Sequence, residues 1–293
     1  SIIRPQRHFE CVTFTGNGST GQSITSLEFQ PDLIWFKSRS HARNHSWWSS
    51  VVGRTKGLFG DVDEAEFTSA AGRDLASFDT SGFTVGEPQN SSSTNNNGES
   101  LVAWCWKAGG SSNTFNVDDV GYANASAAGI TDGSIALTGA SVNREAGFSM
   151  VTYTGTGSTG TVGHGFTKTP KVVITKSRSA SGSWNYLDVV GNSTAEYGLF
   201  LNDNGGYTSY QGGTYWADTL PTSTVFTVNS NASTNASGVT YIAYCWTDIP
   251  GYSKMGRYIG NASTDGSYVH LGFRPAFVLL KRTALADAWQ LFD

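Results

Sequence analysis

The residues best suited to chemistry in this sequence are basic side chains at the end of a repeated stretch. Lys37, Arg39, Lys176 and Arg178 end the first two copies, in a chain in which only 14% of the residues are charged. Ammonium and guanidinium groups bind anions, so one ligand that these positions predict is an anionic or sulfated glycan. A solvated strand end that blocks edge pairing is the more ordinary explanation of the pattern, and a salt bridge between repeats is a further alternative.

Trp47 is the second candidate for a contact surface. When SWWSSVVG is aligned with WNYLDVVG on the shared VVG, Trp47 matches the polar residues Asn185 and Gln290. We therefore expect Trp47 to point outward, where an indole ring can stack on a sugar or another partner. The same alignment matches Trp48 with Tyr186, and we predict that Trp48 packs in the core.

Histidine and carboxylate side chains form no recognisable catalytic or metal-binding pattern in this sequence. His164 lies in the turn VGHGF and is expected to be solvated. The acidic run at residues 61–66 lacks the glycine and the terminal glutamate of an EF-hand loop, so neither a metal nor a cofactor is predicted. Glycan hydrolysis needs two carboxylates facing a cleft. Asp188 matches Asp293 but also Ser50, so no acid pair recurs and no enzyme activity is predicted.

Composition narrows the class of protein further. The chain has 293 residues, of which 38% are hydrophobic and 13% aromatic, which is enough to build cores. Its net charge of −4 offers no basic face for nucleic acid. No run of eighteen apolar residues is present, so no membrane span is predicted. Three cysteines are too few for a disulfide scaffold, and Cys105 and Cys245 lie in matching apolar runs that predict buried thiols.

The elements that position these residues are predicted from the repeated stretch itself. It reads FQPDLIWFKSRS, then FTKTPKVVITKSRS, then FRPAFVLLKRTA, and Pro31, Pro170 and Pro275 each precede a lysine by six residues. An apolar run with apolar residues on both sides is typical of a central strand in a sandwich. Short alternating strands separated by turn signals predict an all-β fold of tandem antiparallel β-sandwiches, with jelly-roll or immunoglobulin-like topology.

The spacing of the copies predicts five segments along the chain. They are a lead-in linker (1–8), a first β-sandwich module (9–106), a Gly/Ser/Ala-rich connector (107–147), a second module (148–251) and the start of a third module (252–293). The connector has too little apolar content for its own core, so we expect it to lie extended across a neighbouring module or subunit. The third copy contains only the first strands, and we expect that the protein continues or that another segment completes this module.

Several long motifs carry a family resemblance. They include VTFTGNG, FQPDLIWFKSRS, LVAWCWKAGG, GFSMVTYTGTG and GFRPAFVLLKRT, and they are spread over nearly the whole chain. Together they resemble a repeated module of virion proteins from marine tailed phages, found in large tail-fibre or tail-spike-like proteins of cyanophages and similar phages. The resemblance implies a position on the virion surface, other virion proteins as partners and a homotrimer, and it carries over no catalytic residues.

Two functions follow as expectations. The first is a non-enzymatic phage virion structural protein, part of a tail fibre or surface appendage that supports or makes contact with the host surface. The alternative is a carbohydrate-binding adhesin that contacts host-surface glycans through Trp47 and the basic strand ends, Lys37, Arg39, Lys176 and Arg178.

Overall fold

The computed structural model describes residues 2, 4–89, 92–209 and 212–293. The fold is all-β and consists of sandwiches built from mainly antiparallel sheets, as the strand pattern predicts. A short 3-10 helix, Pro5–Arg7, precedes the first strand, and a short α-helix, α1, spans Gly212–Trp216. Among the described residues, no helix has the length and apolar character needed to cross a membrane.

The first repeat forms a larger and a smaller sheet. Its strands are β1 (Phe9–Thr15), β2 (Gln22–Ile24), β3 (Leu33–Ser38), β4 (Ser46–Ser49), β5 (Lys56–Phe59), β6 (Phe67–Thr68), β7 (Leu75–Asp79), β8 (Gly82–Val85) and β9 (Ser100–Trp106). The larger sheet has the order β1-β9-β3-β4-β5-β6, and the smaller has the order β2-β8-β7. Ile34, Phe36 and Trp48 of the larger sheet pack with Phe83 of the smaller one, so this sandwich has its own core.

The connector and the second repeat together form the next sandwich. Their strands are β10 (Phe115–Val117), β11 (Val120–Tyr122), β12 (Leu137–Asn143), β13 (Phe148–Thr154), β14 (Gly160–Gly163), β15 (Val172–Ser177), β16 (Asn185–Asp188), β17 (Tyr197–Phe200), β18 (Thr208–Ser209), β19 (Val225–Val228) and β20 (Thr240–Trp246). The larger sheet has the order β11-β10-β12-β13-β20-β15-β16-β17-β18, and β14 pairs with β19 on the other side of the core.

The connector is an integral part of this second sheet. Its strand β12 pairs antiparallel with β13, and β10 pairs parallel with β12. Phe115, Ile130 and Val142 of the connector are buried in the same core as Val151 and Phe226 of the second repeat. The connector therefore extends across a neighbouring module. Its few apolar residues suffice because the second repeat supplies the rest of the core.

The third repeat contributes the antiparallel strands β21 (Val278–Leu280) and β22 (Gln290–Phe292). Its apolar residues pack against a core that the larger sheets of the first two repeats share. The members of this shared core include Leu33, Trp35, Trp47, Trp104, Phe148, Met150, Ile174, Trp184 and Tyr244, with Phe277, Leu279 and Leu291 from the third repeat.

The shared core explains why the central strands are apolar on both sides. On β3, Ile34 and Phe36 face the first repeat's own smaller sheet, whereas Leu33 and Trp35 face the shared core. Successive side chains of a strand point to opposite faces, so a strand between two cores must be apolar at every position. Cys105 and Cys245 lie beside the central strands and are buried free thiols, as predicted.

Candidate functional site

Trp47 lies inside the shared core. Only 3% of the residue is exposed, and its ring centroid is 4.6 Å from that of Trp35, 4.9 Å from Trp184 and 5.2 Å from Tyr244. The prediction that Trp47 points outward is wrong, and this ring is not available for stacking on a sugar.

A shift of one residue in the sequence alignment caused the error. In each repeat the central strand pairs with the strand that follows it, and the paired residues define the equivalent positions. These pairs are Trp35 with Trp47, Ile174 with Tyr186, and Leu279 with Leu291. Trp47 is therefore equivalent to Tyr186 and not to Asn185. The first repeat has one more residue before its VVG, and a shift of one position moves every side chain to the opposite face.

Lys176 is buried between the first and second repeats. The residue is 0% exposed, and its Nζ donates to the carbonyl oxygens of Gly182 at 2.8 Å and Asp63 at 3.2 Å. Loss of hydration lowers the pKa of this ammonium group to about 8. The prediction of a surface contact at Lys176 is wrong because the loop after β5 covers this strand end.

Arg178 forms an ion pair between repeats. Its Nε lies 2.6 Å from Oε2 of Glu66, and the Glu66 backbone N–H donates to the Arg178 carbonyl oxygen at 2.8 Å. Lys56 Nζ lies 3.6 Å from the other carboxylate oxygen of Glu66. Of the explanations offered by the sequence, a salt bridge between repeats is the one found at this strand end.

Two further bonds complete the contact between the first and second repeats. Trp184 Nε1 donates to the Phe59 carbonyl oxygen at 2.8 Å, and the Gly182 N–H donates to the Asp63 carbonyl oxygen at 2.7 Å. We name residues 59–66, which accept these bonds, the first acceptor loop. Its acceptors are mainly backbone carbonyl oxygens, so the contact depends on where the loop lies more than on its side chains.

The same contact recurs between the second and third repeats. Trp289 Nε1 donates to the Phe200 carbonyl oxygen at 2.9 Å, and Lys281 Nζ donates to the Asn204 carbonyl oxygen at 2.8 Å. The Asp287 N–H donates to the same Asn204 oxygen at 2.7 Å. We name residues 200–204 the second acceptor loop, since Phe200 and Asn204 take the places of Phe59 and Asp63.

Lys37 and Arg39 are the more accessible of the predicted basic residues. Lys37 is partly buried, its Nζ donates to the Arg43 carbonyl oxygen, and desolvation lowers its pKa. The Arg39 side chain is 49% exposed, with Nη1 3.6 Å from Oδ1 of Asp293 in the third repeat. Among the predicted contact residues, Arg39 is therefore the one most available to an external partner.

Asp32 is a buried carboxylate that sequence reasoning did not identify. Its Oδ1 accepts from the Ser50 hydroxyl at 2.6 Å, and its Oδ2 accepts from the N–H groups of Ala108 at 2.8 Å and Gly110 at 3.1 Å. Burial raises the pKa of Asp32 to about 6 although these bonds favour the ionised form. The side chain fixes the start of the connector, a contact for which the sequence has no signal because Lys171 occupies the equivalent position in the second repeat.

His164 is buried, contrary to the expectation of a solvated loop residue. Its Nδ1 accepts from the Phe166 N–H at 3.2 Å, and its Nε2 lies 3.4 Å from the Thr222 carbonyl oxygen. Desolvation lowers the pKa of the imidazole to about 4, so the ring is neutral near pH 7. His164 therefore joins two loops of the second repeat.

A groove of about 480 Å³ lies beside the start of the connector. Its charged lining residues are paired with each other: Arg7 lies 3.6 Å from Glu28, and Lys107 lies 2.5 Å from Asp119. Phe29 is also one of the lining residues, but it is buried. The groove therefore presents neither an excess of one charge nor an exposed aromatic face. Within the described ranges, no three His, Cys, Asp or Glu side chains are grouped closely enough to hold a metal ion.

Comparison with known protein families shows that one family model covers the three repeats and the connector. A family model described as a domain of unknown function, DUF7483, matches residues 4–293. The chain belongs to the DUF7483 family. The DUF7483 match spans the three repeats and the connector, so the family unit includes the shared core and both acceptor loops. No curated protein and no solved structure matches the chain.

Proposed function

We propose that this chain is a non-enzymatic structural protein, part of a tail fibre or similar surface appendage of a phage virion. The main support for a structural role is that the repeats share one hydrophobic core and form hydrogen bonds with each other at their strand ends. Polar groups that resemble catalytic residues bind the protein's own backbone, as Lys176, Asp32 and His164 do. A shared core and internally bonded polar groups suit a rigid structural element that withstands mechanical force.

The position in a virion rests on the sequence motifs. They resemble the tail-fibre module of marine phages over nearly the whole chain, and the role on the virion surface follows from that resemblance. A homotrimer and contacts with other virion proteins belong to the same proposal. The connector is not an argument for a trimer, because it packs on the second repeat of its own chain.

Carbohydrate binding is the weaker candidate. Trp47 and Lys176 are both buried, so neither contacts a glycan on the protein surface. Lys37 and Arg39 remain accessible, but a guanidinium and an ammonium group provide charge attraction and little shape selectivity. Supporting or positioning a separate host-recognition element therefore fits these residues better than recognising a sugar.

Localisation in the particle tests the structural proposal. Antibodies against the chain, applied to purified virions of the phage that encodes it, are expected to label a tail appendage in electron micrographs. Mass spectrometry of the same particles is expected to find the chain in stoichiometric amounts. Its absence from purified particles would contradict the proposal.

A glycan array tests the alternative. We expect no glycan binding by the intact protein. Saturable binding that is lost in Arg39→Ala, but kept in a variant with the exposed Lys168 changed to Ala, would favour the adhesin instead.

A further inference from the structure

The contact between neighbouring repeats uses the same three donors in the second and third repeats. They are the ammonium group of the strand-end lysine, the backbone N–H six residues later and the indole N–H eight residues later. We name each such set a donor corner. The second donor corner is Lys176, Gly182 and Trp184, and the third is Lys281, Asp287 and Trp289.

The acceptors of these two corners also share one pattern. In each acceptor loop a phenylalanine carbonyl oxygen accepts from the indole N–H, and the carbonyl oxygen four residues later accepts from the other two donors. Both loops follow a strand that ends in Gly-Leu-Phe, at Gly57–Phe59 in β5 and Gly198–Phe200 in β17. A Gly-Leu-Phe strand followed by a loop is therefore the segment that a donor corner binds.

The first repeat has a donor corner of its own, formed by Lys37, Arg43 and His45. Lys37 Nζ donates to the Arg43 carbonyl oxygen, just as Lys176 donates to Gly182 six residues later. The second carbonyl ligand found for Lys176 and Lys281 is not present for Lys37 among the described residues.

The other two donors of this corner, the Arg43 N–H and His45 Nε2–H, are also able to bind an acceptor loop. Within residues that the structure describes, the Arg43 backbone N–H makes no hydrogen bond. His45 Nδ1 accepts from Trp35 Nε1 at 2.9 Å, so the proton of the neutral imidazole lies on Nε2. Desolvation lowers the pKa of His45 to about 4, which keeps that Nε2–H in place near neutral pH. Nε2–H thus corresponds to the indole N–H of Trp184 and Trp289.

The strand edge that would hold such a segment is also present. β5 pairs with β4 with Phe59 opposite Ser46, and β17 pairs with β16 with Phe200 opposite Asn185. The equivalent strand is β22, where Gln290 takes the place of Ser46 and Asn185. In the described part of the chain, β22 pairs with β21 alone.

The end of the third repeat contacts the first repeat close to the first donor corner. Trp104 Nε1 of the first repeat donates to Oδ2 of Asp293 at 3.1 Å, and Arg39 lies 3.6 Å from the other oxygen of this carboxylate. Asp293 directly follows β22. In the register of β5, a strand on the outer edge of β22 would leave beside Gln290, and the equivalence of the repeats directs its loop towards Lys37, as the loop after β5 reaches Lys176.

We propose that the first donor corner and the edge of β22 together bind the Gly-Leu-Phe strand and acceptor loop of a further module of this fold. The strand pairs antiparallel with β22, and its phenylalanine carbonyl oxygen accepts from His45 Nε2. The carbonyl oxygen four residues later accepts from Lys37 Nζ and the Arg43 N–H. A second copy of this chain is not the occupant, because its two Gly-Leu-Phe strands already accept from its own Trp184 and Trp289.

A peptide tests this proposal with the intact chain. The probe is KGLFGDVDEAE, the sequence of residues 56–66, titrated into the protein by calorimetry and followed by NMR of the histidine ring nitrogens. We expect saturable binding with one peptide per chain and a shifted His45 Nε2–H signal. His45→Ala and Lys37→Ala are each expected to weaken binding about tenfold, equal to about 1.4 kcal/mol.

Matched controls distinguish this contact from nonspecific binding of the peptide. Lys168→Ala, at an exposed lysine of the second repeat, is expected to leave the affinity unchanged. A peptide with proline in place of its leucine is expected not to bind, because proline disrupts strand pairing. His45→Trp restores the donor of the other two repeats and is expected to bind at least as well as the unchanged chain.

Attaching the strand to the end of the chain allows the contact to be tested even if the free peptide binds weakly. Residues 50–66 repeated after Asp293 raise the effective concentration of the strand, and we expect a higher melting temperature than with a scrambled extension. Absence of peptide binding at millimolar concentration together with no gain in melting temperature would overturn the proposal. Binding that His45→Ala and Lys37→Ala leave unchanged, or a dimer of the unextended chain blocked by these variants, would overturn it as well.

Discussion

Lys176 shows what a buried ammonium group requires. A charged group taken out of water is costly unless fixed dipoles replace its hydration. The carbonyl oxygens of Gly182 and Asp63 supply those dipoles from two different repeats. The charge therefore makes the folded state of each repeat dependent on the position of the other.

Replacing Lys176 with methionine tests this dependence. The change keeps the length of the side chain but leaves the Gly182 carbonyl oxygen without a donor. We expect the free energy of unfolding in urea to fall by about 2 kcal/mol, as for other hydrogen bonds to charged groups. Lys168→Met, at an exposed position, is the control and is expected to change it by less than about 0.5 kcal/mol. Equal effects of the two changes would contradict the role of Lys176.

Asp32 is expected to make the folded state less stable as the pH rises. Its pKa is raised by burial from 3.8 to about 6 in the folded chain, so the folded state binds this proton more tightly than the unfolded state. The resulting stabilisation is fully present below pH 3.8 and is lost as the pH rises through about 6. Asp32→Asn keeps the acceptor for Ala108 and Gly110 and does not titrate.

The measurement is the free energy of unfolding at pH 4 and pH 7 for both proteins. We expect Asp32→Asn to remove about 2 kcal/mol of the difference between the two pH values. The exposed Asp132→Asn serves as the control. If Asp32→Asn and the unchanged chain give parallel profiles, the carboxylate does not titrate in this range.

At the scale of elements, the sequence predicts strands better than it predicts their partners. β3 was predictable because both its faces are apolar and its pattern recurs. The register of β4 was not, because one extra residue before VVG moved Trp47 to the wrong face. The connector was expected to extend across a neighbouring module, but the place of β10 in the second sheet was not predictable, because β10 pairs parallel with a strand that follows it after a long loop and no local pattern indicates such a pair.

A glycine in the connector tests how tightly it packs. A Cβ atom on Gly109 would lie 2.5 Å from both the Asn116 carbonyl oxygen and the Val142 backbone nitrogen. Because both are backbone atoms, Gly109→Ala is expected to lower the free energy of unfolding by about 1–3 kcal/mol.

Gly256→Ala is the matched control for this change, since a Cβ there would meet no atom within 4 Å. Thermal unfolding of the two variants, measured side by side, decides the question. A connector that tolerates Gly109→Ala as well as Gly256→Ala would not be part of the packed sheet.

At the scale of the whole molecule, the shared core packs residues of all three repeats together, so we expect the repeats to unfold as one cooperative unit. Its residues come from the larger sheets of both sandwiches and from the third repeat. The sequence could not reveal this core, because the contacts that bring its faces together, such as the ion pair of Arg178 with Glu66 beside it, join residues 112 positions apart in different repeats. Periodicity shows that a face is apolar, but it does not show which other face covers it.

Trp47→Ala tests this cooperativity. Removing an indole from the shared core is expected to lower the free energy of unfolding by about 3–5 kcal/mol. We also expect calorimetry to show one transition at a lower temperature, because both sandwiches border the cavity. Tyr268→Ala, at a side chain that is 88% exposed, is expected to have little effect. Two separate transitions, with only one of them shifted, would show that the sandwiches unfold independently.

The contacts of the third repeat set a limit on copy number. This repeat binds the second through Trp289, and its Phe277 ring lies 6.4 Å from Trp35 and 6.1 Å from Trp104 of the first. A head-to-tail contact that returns to its starting point closes into a ring, whereas one that does not return grows without end. Here the third repeat touches the first, but no acceptor loop among the described residues occupies the first donor corner, so the ring of repeated contacts is open at that one joint. A strand and its acceptor loop would therefore close the ring, whereas a complete fourth repeat would meet the first.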